Sequence, residues 1–245
     1  MSLSGKVALV TGGSRGIGAA IALRLAQLGA DVAITYSNAS APAEKVVADI
    51  KALGRKAIAI KANAASEADL NGLLAKVVED FGHLDILVNN AGIFDAAPIS
   101  EITLERFDKT MAVNVRALFQ LIQQAAEILP KGGRIINIGS VLGERVGLAG
   151  MTAYSTSKFA VSGLTRAAAH DLAPRGILVN NVQPGPINTD MNPEDGAFAE
   201  AMKSMVPLKR YGRPEEVAEI VAFLAGPGAT YITATSIEVD GGLEA

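Results

Sequence analysis

The sequence predicts an α/β fold, a single doubly wound domain with a mostly parallel seven-stranded sheet and helices on both faces. Three observations carry this. Short β-rich runs alternate with segments of helical periodicity along the whole chain, as in successive βαβ units. Aliphatic residues and Ala dominate those runs, as in parallel strands covered on both faces. The composition is 49% hydrophobic with 25 Gly, only 4% aromatic residues and no Trp. That mix suits helices packed closely against a buried sheet.

The elements follow in order. Strands are expected at Val7–Val10, Val32–Tyr36, Ala57–Lys61, Ile86–Asn89, Arg134–Ile138, Ile177–Val182 and Ser236–Val239. Between the third and fourth, Leu70, Leu73, Leu74, Val77, Val78 and Phe81 recur at helical spacing. Between the fourth and fifth, Leu104, Phe107, Met111, Val115, Leu118 and Ile122 do the same. Residues 185–212 break the rhythm with Pro186, Pro193, Pro207 and several Gly around a short helical piece at Phe198–Met205. A connection of that length reads as a functional loop or lid. No linker interrupts the chain, so 1–245 reads as one domain.

Composition narrows the chemistry. A net charge of −3 without basic clusters argues against nucleic acid as a partner. The chain has no Cys, which removes disulfides, thiol nucleophiles and Cys-ligated metal. His83 and His170 stand far apart among polar neighbours, and no metal site is expected. The N-terminus lacks the charged and apolar regions of a signal peptide, and no run of about 18 apolar residues could span a membrane. A cytoplasmic protein is expected.

The segment VALVTGGSRGIGAA places Gly12, Gly16 and Gly18 directly after the first strand and at the opening of a helix. Backbone N–H groups and the positive helix end can there face a pyrophosphate, as in Rossmann-like folds. An NAD site usually carries Asp or Glu at the end of the second strand, about 20 residues on. Here that strand ends in Tyr36, Ser37 and Asn38, while Asp31 lies at its start. No carboxylate would repel a 2′-phosphate, Ser37 and Asn38 can donate to it, and Arg15 can supply charge. NADP(H) is therefore favoured over NAD(H).

In AYSTSK, Tyr154 and Lys158 are four positions apart and would share a helix face. A nearby cation lowers the pKa of a phenol, ordinarily ~10, so the pair could do acid–base work. Alone, it could equally be an ordinary surface pair.

Taken jointly, the motifs resemble the short-chain dehydrogenase/reductase family over nearly the whole chain. Thr11–Gly18 resembles its cofactor turn, and Asn89-Asn90-Ala91-Gly92 its motif after the fourth strand. Asn114, Ser140, Tyr154 and Lys158 match its four catalytic positions. Pro184-Gly185 matches its turn beside the nicotinamide, and Asp240-Gly241-Gly242 the end of its last strand. Within the family the chain is most similar to the bacterial 3-oxoacyl-carrier-protein reductase type. The resemblance implies that Tyr154 donates a proton to a carbonyl oxygen and Ser140 a hydrogen bond. Lys158 would lower the tyrosine pKa and hold the ribose, and Asn114 would hold a water. Cofactor contacts are implied for Gly12, Ser14, Arg15, Gly16, Ile17 and Gly18, for Tyr36, Ser37, Asn38, Asn63 and Ala64, and for Asn90, Ala91 and Gly92. Pro184, Gly185, Ile187 and Thr189 are further implied contacts, besides Tyr154 and Lys158. Asn63 stands where the family often has Asp, and Ala234 where such reductases commonly have Gly.

Candidate substrate-pocket residues are Val141, Leu142, Glu144, Arg145, Met151 and Met191, with Phe198, Met202 and Met205 on the lid. The expected activity is NADPH-dependent reduction of a 3-oxoacyl or other ketone to a secondary alcohol. The alternatives are an NAD-linked dehydrogenase of a sugar or cyclic alcohol, and a non-catalytic dinucleotide sensor. The resemblance also implies a homotetramer or homodimer, paired through the helices around Arg106–Ile128 and Ala153–Leu172. An acidic acyl carrier protein could dock at Lys131 and Arg175.

Overall fold

The computed structural model describes residues 2–196 and 198–244. Its strands are β1 (Val7–Val10), β2 (Asp31–Tyr36), β3 (Ala57–Lys61), β4 (Ile86–Asn89), β5 (Arg134–Ile138), β6 (Leu178–Pro184) and β7 (Ser236–Val239). They form one sheet in the order β3-β2-β1-β4-β5-β6-β7. Every pairing is parallel, so the sheet is wholly rather than mostly parallel.

The helices are α1 (Gly16–Gln27), α2 (Ser40–Ala52), α3 (Glu67–Leu70), α4 (Leu73–Phe81), α5 (Leu104–Met111), α6 (Ala117–Ile128), α7 (Thr152–Leu172), α8 (Ala199–Met205) and α9 (Pro214–Ala225). Ile21 and Leu25 of α1, Val46 and Ile50 of α2 and Val217 and Val221 of α9 pack on one face of the sheet. Leu73 and Val77 of α4, Leu121 and Ala125 of α6 and Ala168 and Leu172 of α7 pack on the other. The two faces explain why the strands are apolar at successive positions.

The second strand and the lid helix each start one residue away from expectation, at Asp31 and Ala199, and three larger departures have a local cause. The periodic run from Leu70 to Phe81 is two helices, because Gly72 takes φ 74° between them. The run from Leu104 to Ile128 contains a π-helical turn at Ala112–Arg116, between α5 and α6, and Asn114 sits in it. Such turns inside α-helices occur often at functional sites. The sixth strand begins one residue later than expected and continues to Pro184, because Gln183 and Pro184 stay in register with Glu238 and Val239.

Ala234 has φ 61°, the left-handed region that disfavours a side chain, which accounts for Gly being usual at this position. Replacing it, Ala234→Gly, is expected to stabilise the fold by about 0.5–1 kcal/mol after the lost methyl packing and the freer unfolded glycine are counted. A thermal melt showing a higher Tm would establish this, and a lower one would show that methyl packing outweighs the strain.

Strand order reverses between β1 and β4, so their carboxyl ends open a crevice. Open parallel sheets bind ligands at such a switch point. The glycine turn leaves β1 there, and Asn90-Ala91-Gly92 leaves β4 beside it.

Candidate active site

The turn after β1 is braced by the segment after β4. The hydroxyl of Thr11 accepts hydrogen bonds from the N–H groups of Asn90 at 2.9 Å and Ala91 at 3.0 Å. The Asn90 amide donates back to the carbonyls of Thr11 at 2.9 Å and Gly12 at 3.1 Å. Gly12 N–H donates to the Thr35 hydroxyl at 3.1 Å, tying the turn to β2. A Cβ on Gly18 would lie 2.3 Å from the Gly12 carbonyl oxygen and 2.5 Å from Asn90 Nδ2. Gly18 thus lets the first turn of α1 close on its own strand. This leaves the N-terminus of α1, with Ser14, Arg15, Gly16 and Ile17, facing the crevice. Thr35 escaped the sequence reading, which named Thr11 as the start of the cofactor turn but gave its hydroxyl no bracing role.

At the β2 and β3 ends, Tyr36 lies beside Lys61 in register, with Ser37 and Asn38 following. Asp31 is at the opposite end of β2, where its carboxylate accepts from Arg55 Nε at 3.0 Å and from the Lys56 N–H at 2.9 Å. It has no access to a ribose in the crevice. Asn63 Oδ1 accepts from the Ala65 N–H at 3.0 Å, which leaves a second lone pair for a ligand. Ala64 and Ala91 line one small cavity with Thr11, Thr35 and Ala62. The turn, the β3 end and the β4 end therefore meet at the crevice. The N-terminus of α1 opens onto this crevice, so the groups present are of the kind that can face an anion such as a pyrophosphate.

The four expected catalytic positions converge next to this crevice. Ser140 follows β5 by two residues, and its hydroxyl accepts the Leu142 N–H at 3.2 Å, leaving its own proton to donate. It stands close enough to Tyr154 on α7 to favour the phenolate. One turn on, Lys158 is buried, and its Nζ donates to the Ile138 carbonyl at 2.9 Å. The same Nζ is 5.6 Å from the Tyr154 ring centroid, and Phe94 meets that ring edge-on at 5.0 Å. Gly92 is the near wall, since a Cβ on it would be 3.9 Å from Lys158 Nζ.

The electrostatics correct one expectation. Burial pushes the Tyr154 phenol above its ordinary value, and the nearby Ser140 hydroxyl offsets only part of this. Burial also lowers Lys158 to about 8. Any lowering by Lys158 is outweighed by burial, since its ammonium donates to the Ile138 carbonyl at the end of β5 and both groups lose hydration. At neutral pH Tyr154 holds its proton and Lys158 is largely charged.

Asn114 uses its side chain structurally. Its Nδ2 donates to the Ile93 carbonyl at 2.9 Å and to Ser157 Oγ at 3.0 Å, and its Oδ1 accepts the Ile93 N–H at 2.9 Å. Ser157 Oγ donates in turn to the Tyr154 carbonyl at 2.6 Å. Asn114 thus ties the loop after β4 to the helix turn bearing the tyrosine.

Sequence reasoning missed a second device that sets α7 on the sheet. Asn89, Asn137, Asn181 and Ser236 stand in one register row across β4, β5, β6 and β7. Asn89 donates to Asn137 Oδ1 at 2.9 Å, and Asn137 donates to Thr165 Oγ1 at 2.9 Å. Gln183 donates to Ser162 Oγ at 3.0 Å. Thr165 and Ser162 belong to α7, so buried polar bonds fix its axial position. Polar residues at the same place in successive apolar strands were the available signal.

The substrate-pocket residues separate. Val141 is buried and Leu142 half-buried immediately after Ser140. Arg145 is exposed in the same loop, while Glu144 pairs with Arg166 at 3.1 Å and accepts from Gln183 at 3.3 Å. Met151 lines a groove of about 450 Å³ with Val146, Leu148, Ser155 and Phe159, which Tyr154 does not line. Met191 is exposed, and so is Phe198, just ahead of α8. Gly185 lets β6 run close to the last turn, where a Cβ would be 2.7 Å from Asp240 Cα. Ile187 is buried and bridges to Gly212, and Thr189 lies against Gly16. Arg15 donates to Asp190 at 3.3 Å. Among the described residues no group of three or more His, Cys, Asp or Glu is placed to hold a metal ion, and no helix is long and apolar enough to cross a membrane.

Comparison with known proteins agrees with this geometry. A family model described as enoyl-(acyl carrier protein) reductase matches residues 12–244. The chain is 43% identical over 241 residues to a 3-oxoacyl-[acyl-carrier-protein] reductase of Staphylococcus aureus (strain N315), covering 97% of this chain and 98% of that one. It is 42% identical over 240 residues to the cyclic-di-GMP-binding biofilm dispersal mediator protein of Escherichia coli (strain K12), covering 98% of each. A crystal structure of a short chain dehydrogenase from Burkholderia cenocepacia J2315 in complex with NADP is 53% identical, with a TM-score of 0.98 and 100% of both chains covered. With its seven-stranded parallel sheet, its glycine turn and its Ser-Tyr-Lys group, the chain belongs to the short-chain dehydrogenase/reductase family of oxidoreductases.

Proposed function

We propose that the protein is an NADPH-dependent reductase that converts a ketone to a secondary alcohol. The observation that carries this is the buried Tyr154, beside Ser140 and one turn from Lys158, whose Nζ is 5.6 Å from its ring, with the phenol held protonated at neutral pH. A proton-holding phenol suits the reductive direction. Oxidation of an alcohol would need the phenolate, which burial disfavours here.

NADPH, when bound, supplies the hydride. The glycine turn and the N-terminus of α1 would hold its pyrophosphate. Arg15, with Ser37 and Asn38, would take the 2′-phosphate, which no carboxylate at the β2 end opposes. The NADP complex of the Burkholderia cenocepacia relative supports this choice. Asn63, Ala64, Asn90 and Ala91 would surround the adenosine, and Pro184, Gly185, Ile187 and Thr189 would flank the nicotinamide. Ser140 would donate a hydrogen bond to the carbonyl oxygen as negative charge develops, and Tyr154 would deliver its proton there. Lys158 would stabilise the phenolate left behind and hold the nicotinamide ribose. Asn114 would keep the loop carrying Gly92 and Ile93 at its distance from Lys158. Leu142, Met191 and Phe198 would offer apolar surface to the substrate, which fits an uncharged ketone. The exposed Phe119 on α6 and Phe159 on α7 support self-association through these helices, as a homotetramer or homodimer.

A second reading follows from the Escherichia coli relative, whose name describes a binding role: a dinucleotide sensor without turnover. Oxidation of NADPH and of NADH should be followed against β-ketoesters, acetoacetyl thioesters and cyclic ketones. Turnover with NADPH well above NADH is the expected result. Tight NADPH binding with no turnover across the panel would favour the sensor, and faster turnover with NADH would overturn the cofactor assignment.

A further inference from the structure

We propose that Asp190 is a specificity-determining residue: its carboxylate competes with the 2′-phosphate of NADP(H) for the Arg15 guanidinium. It thereby sets how strongly the protein prefers NADPH over NADH. This rests on the NADP(H) reading above.

The placement of Asp190 is not that of a free loop residue. Thr189 N–H donates to the Asn192 carbonyl at 3.3 Å, and Asn192 N–H donates to the Thr189 carbonyl at 3.0 Å, closing a turn around Asp190. That turn rests on the glycine turn, since a Cβ on Gly16 would stand 3.4 Å from Thr189 Cγ2. Arg15 is the one cation of the segment Thr11–Gly18, and it reaches Asp190 Oδ2 at 3.3 Å. Both side chains are mostly exposed, 67% for Arg15 and 74% for Asp190. An exposed pair is weak and easily exchanged.

The chemistry of the exchange favours the phosphate. A phosphate dianion carries more charge than a carboxylate and offers oxygens that match the guanidinium fork. NAD sites commonly place an acid at the end of β2, where it meets the ribose directly. Here the acid sits across the crevice, on the loop after β6, and engages the cation instead. A cofactor carrying the 2′-phosphate must break the Arg15–Asp190 pair, whereas one without it need not. Asp190 therefore taxes NADPH selectively.

The test is equilibrium binding of NADPH and NADH to four forms of the full chain: unaltered, Asp190→Asn, Arg15→Ala and the double variant. Asp190→Asn is expected to tighten NADPH about three- to five-fold, the worth of an exposed ion pair, and to leave NADH unchanged. In the Arg15→Ala background the gain should vanish. Three results would overturn the proposal while leaving the cofactor reading intact, provided Arg15→Ala alone weakens NADPH. They are no tightening, equal tightening of NADH, and a gain that persists without Arg15. If Arg15→Ala leaves NADPH binding unaltered, the assignment of Arg15 to the phosphate fails and the proposal falls with it.

Discussion

Tyr154→Phe is expected to cut ketone turnover about 10²–10⁴-fold, the usual worth of a positioned general acid, while NADPH still binds. The ring would keep its edge-on contact with Phe94, and α7 would keep its bonds to the sheet through Ser162 and Thr165. Only the phenol hydroxyl and its proton are lost. The direction of the Tyr154 shift adds a pH signature. Its pKa lies above the ordinary phenol value, so the proton needed for reduction stays in place throughout the neutral range. Reduction by the unaltered protein should therefore not lose this proton until strongly alkaline pH, and alcohol oxidation should rise with pH. Single-turnover measurements on both forms would check this. A variant that keeps full turnover would remove Tyr154 from the chemistry.

Lys158→Met is expected to move stability and activity in opposite directions. Folding lowers the Lys158 pKa from 10.5 to about 8. Between those two values the unfolded chain binds more protons, so the stability of the unaltered protein rises with pH across that window. Below pH 8 both states are charged, and the full cost of burying the ammonium is present. That cost is on the order of 3 kcal/mol, and the lost bond to the Ile138 carbonyl returns about 1 of it. Lys158→Met should thus gain about 2 kcal/mol at pH 7, or roughly 4–8 °C in Tm for a chain of this size. The gain should shrink as pH rises past 8. Turnover should fall about 10²–10³-fold, as for other single groups that stabilise developing charge. Melts at pH 7 and 10, beside turnover at pH 7, would test both. A less stable variant at pH 7 would mean that the ammonium is better solvated than its surroundings indicate.

How far the sequence reaches is seen best at individual residues. Strand positions were legible because both faces of the sheet are covered, which makes most strands rich in aliphatic residues. The glycine turn was legible because few residues can enter a helix so tightly. Gly72 and the π-helical turn at Asn114 were not, because periodicity reports the buried face and is blind to a local change of hydrogen-bond partner. The Tyr154–Lys158 pair was visible as spacing, but the sign of the tyrosine shift was misjudged. Spacing gives proximity along a helix, not where an ammonium turns or how much water a phenol keeps. Arg15 was legible as a cation in a phosphate turn, while its partner lies 175 positions away.

The sequence alone determined the α/β class, the order of its elements and the identity of the groups available for hydride-transfer chemistry. Those are set by local periodicity, by backbone freedom at glycine and by residue type. The tertiary structure decided what each group does with its charge and protons. The amide row under α7 set the height of the catalytic helix, burial set the protonation of Tyr154 and Lys158, and the loop after β6 brought Asp190 to Arg15. Each of these depends on distance through space and on exclusion of water, which neighbours far apart in the chain supply.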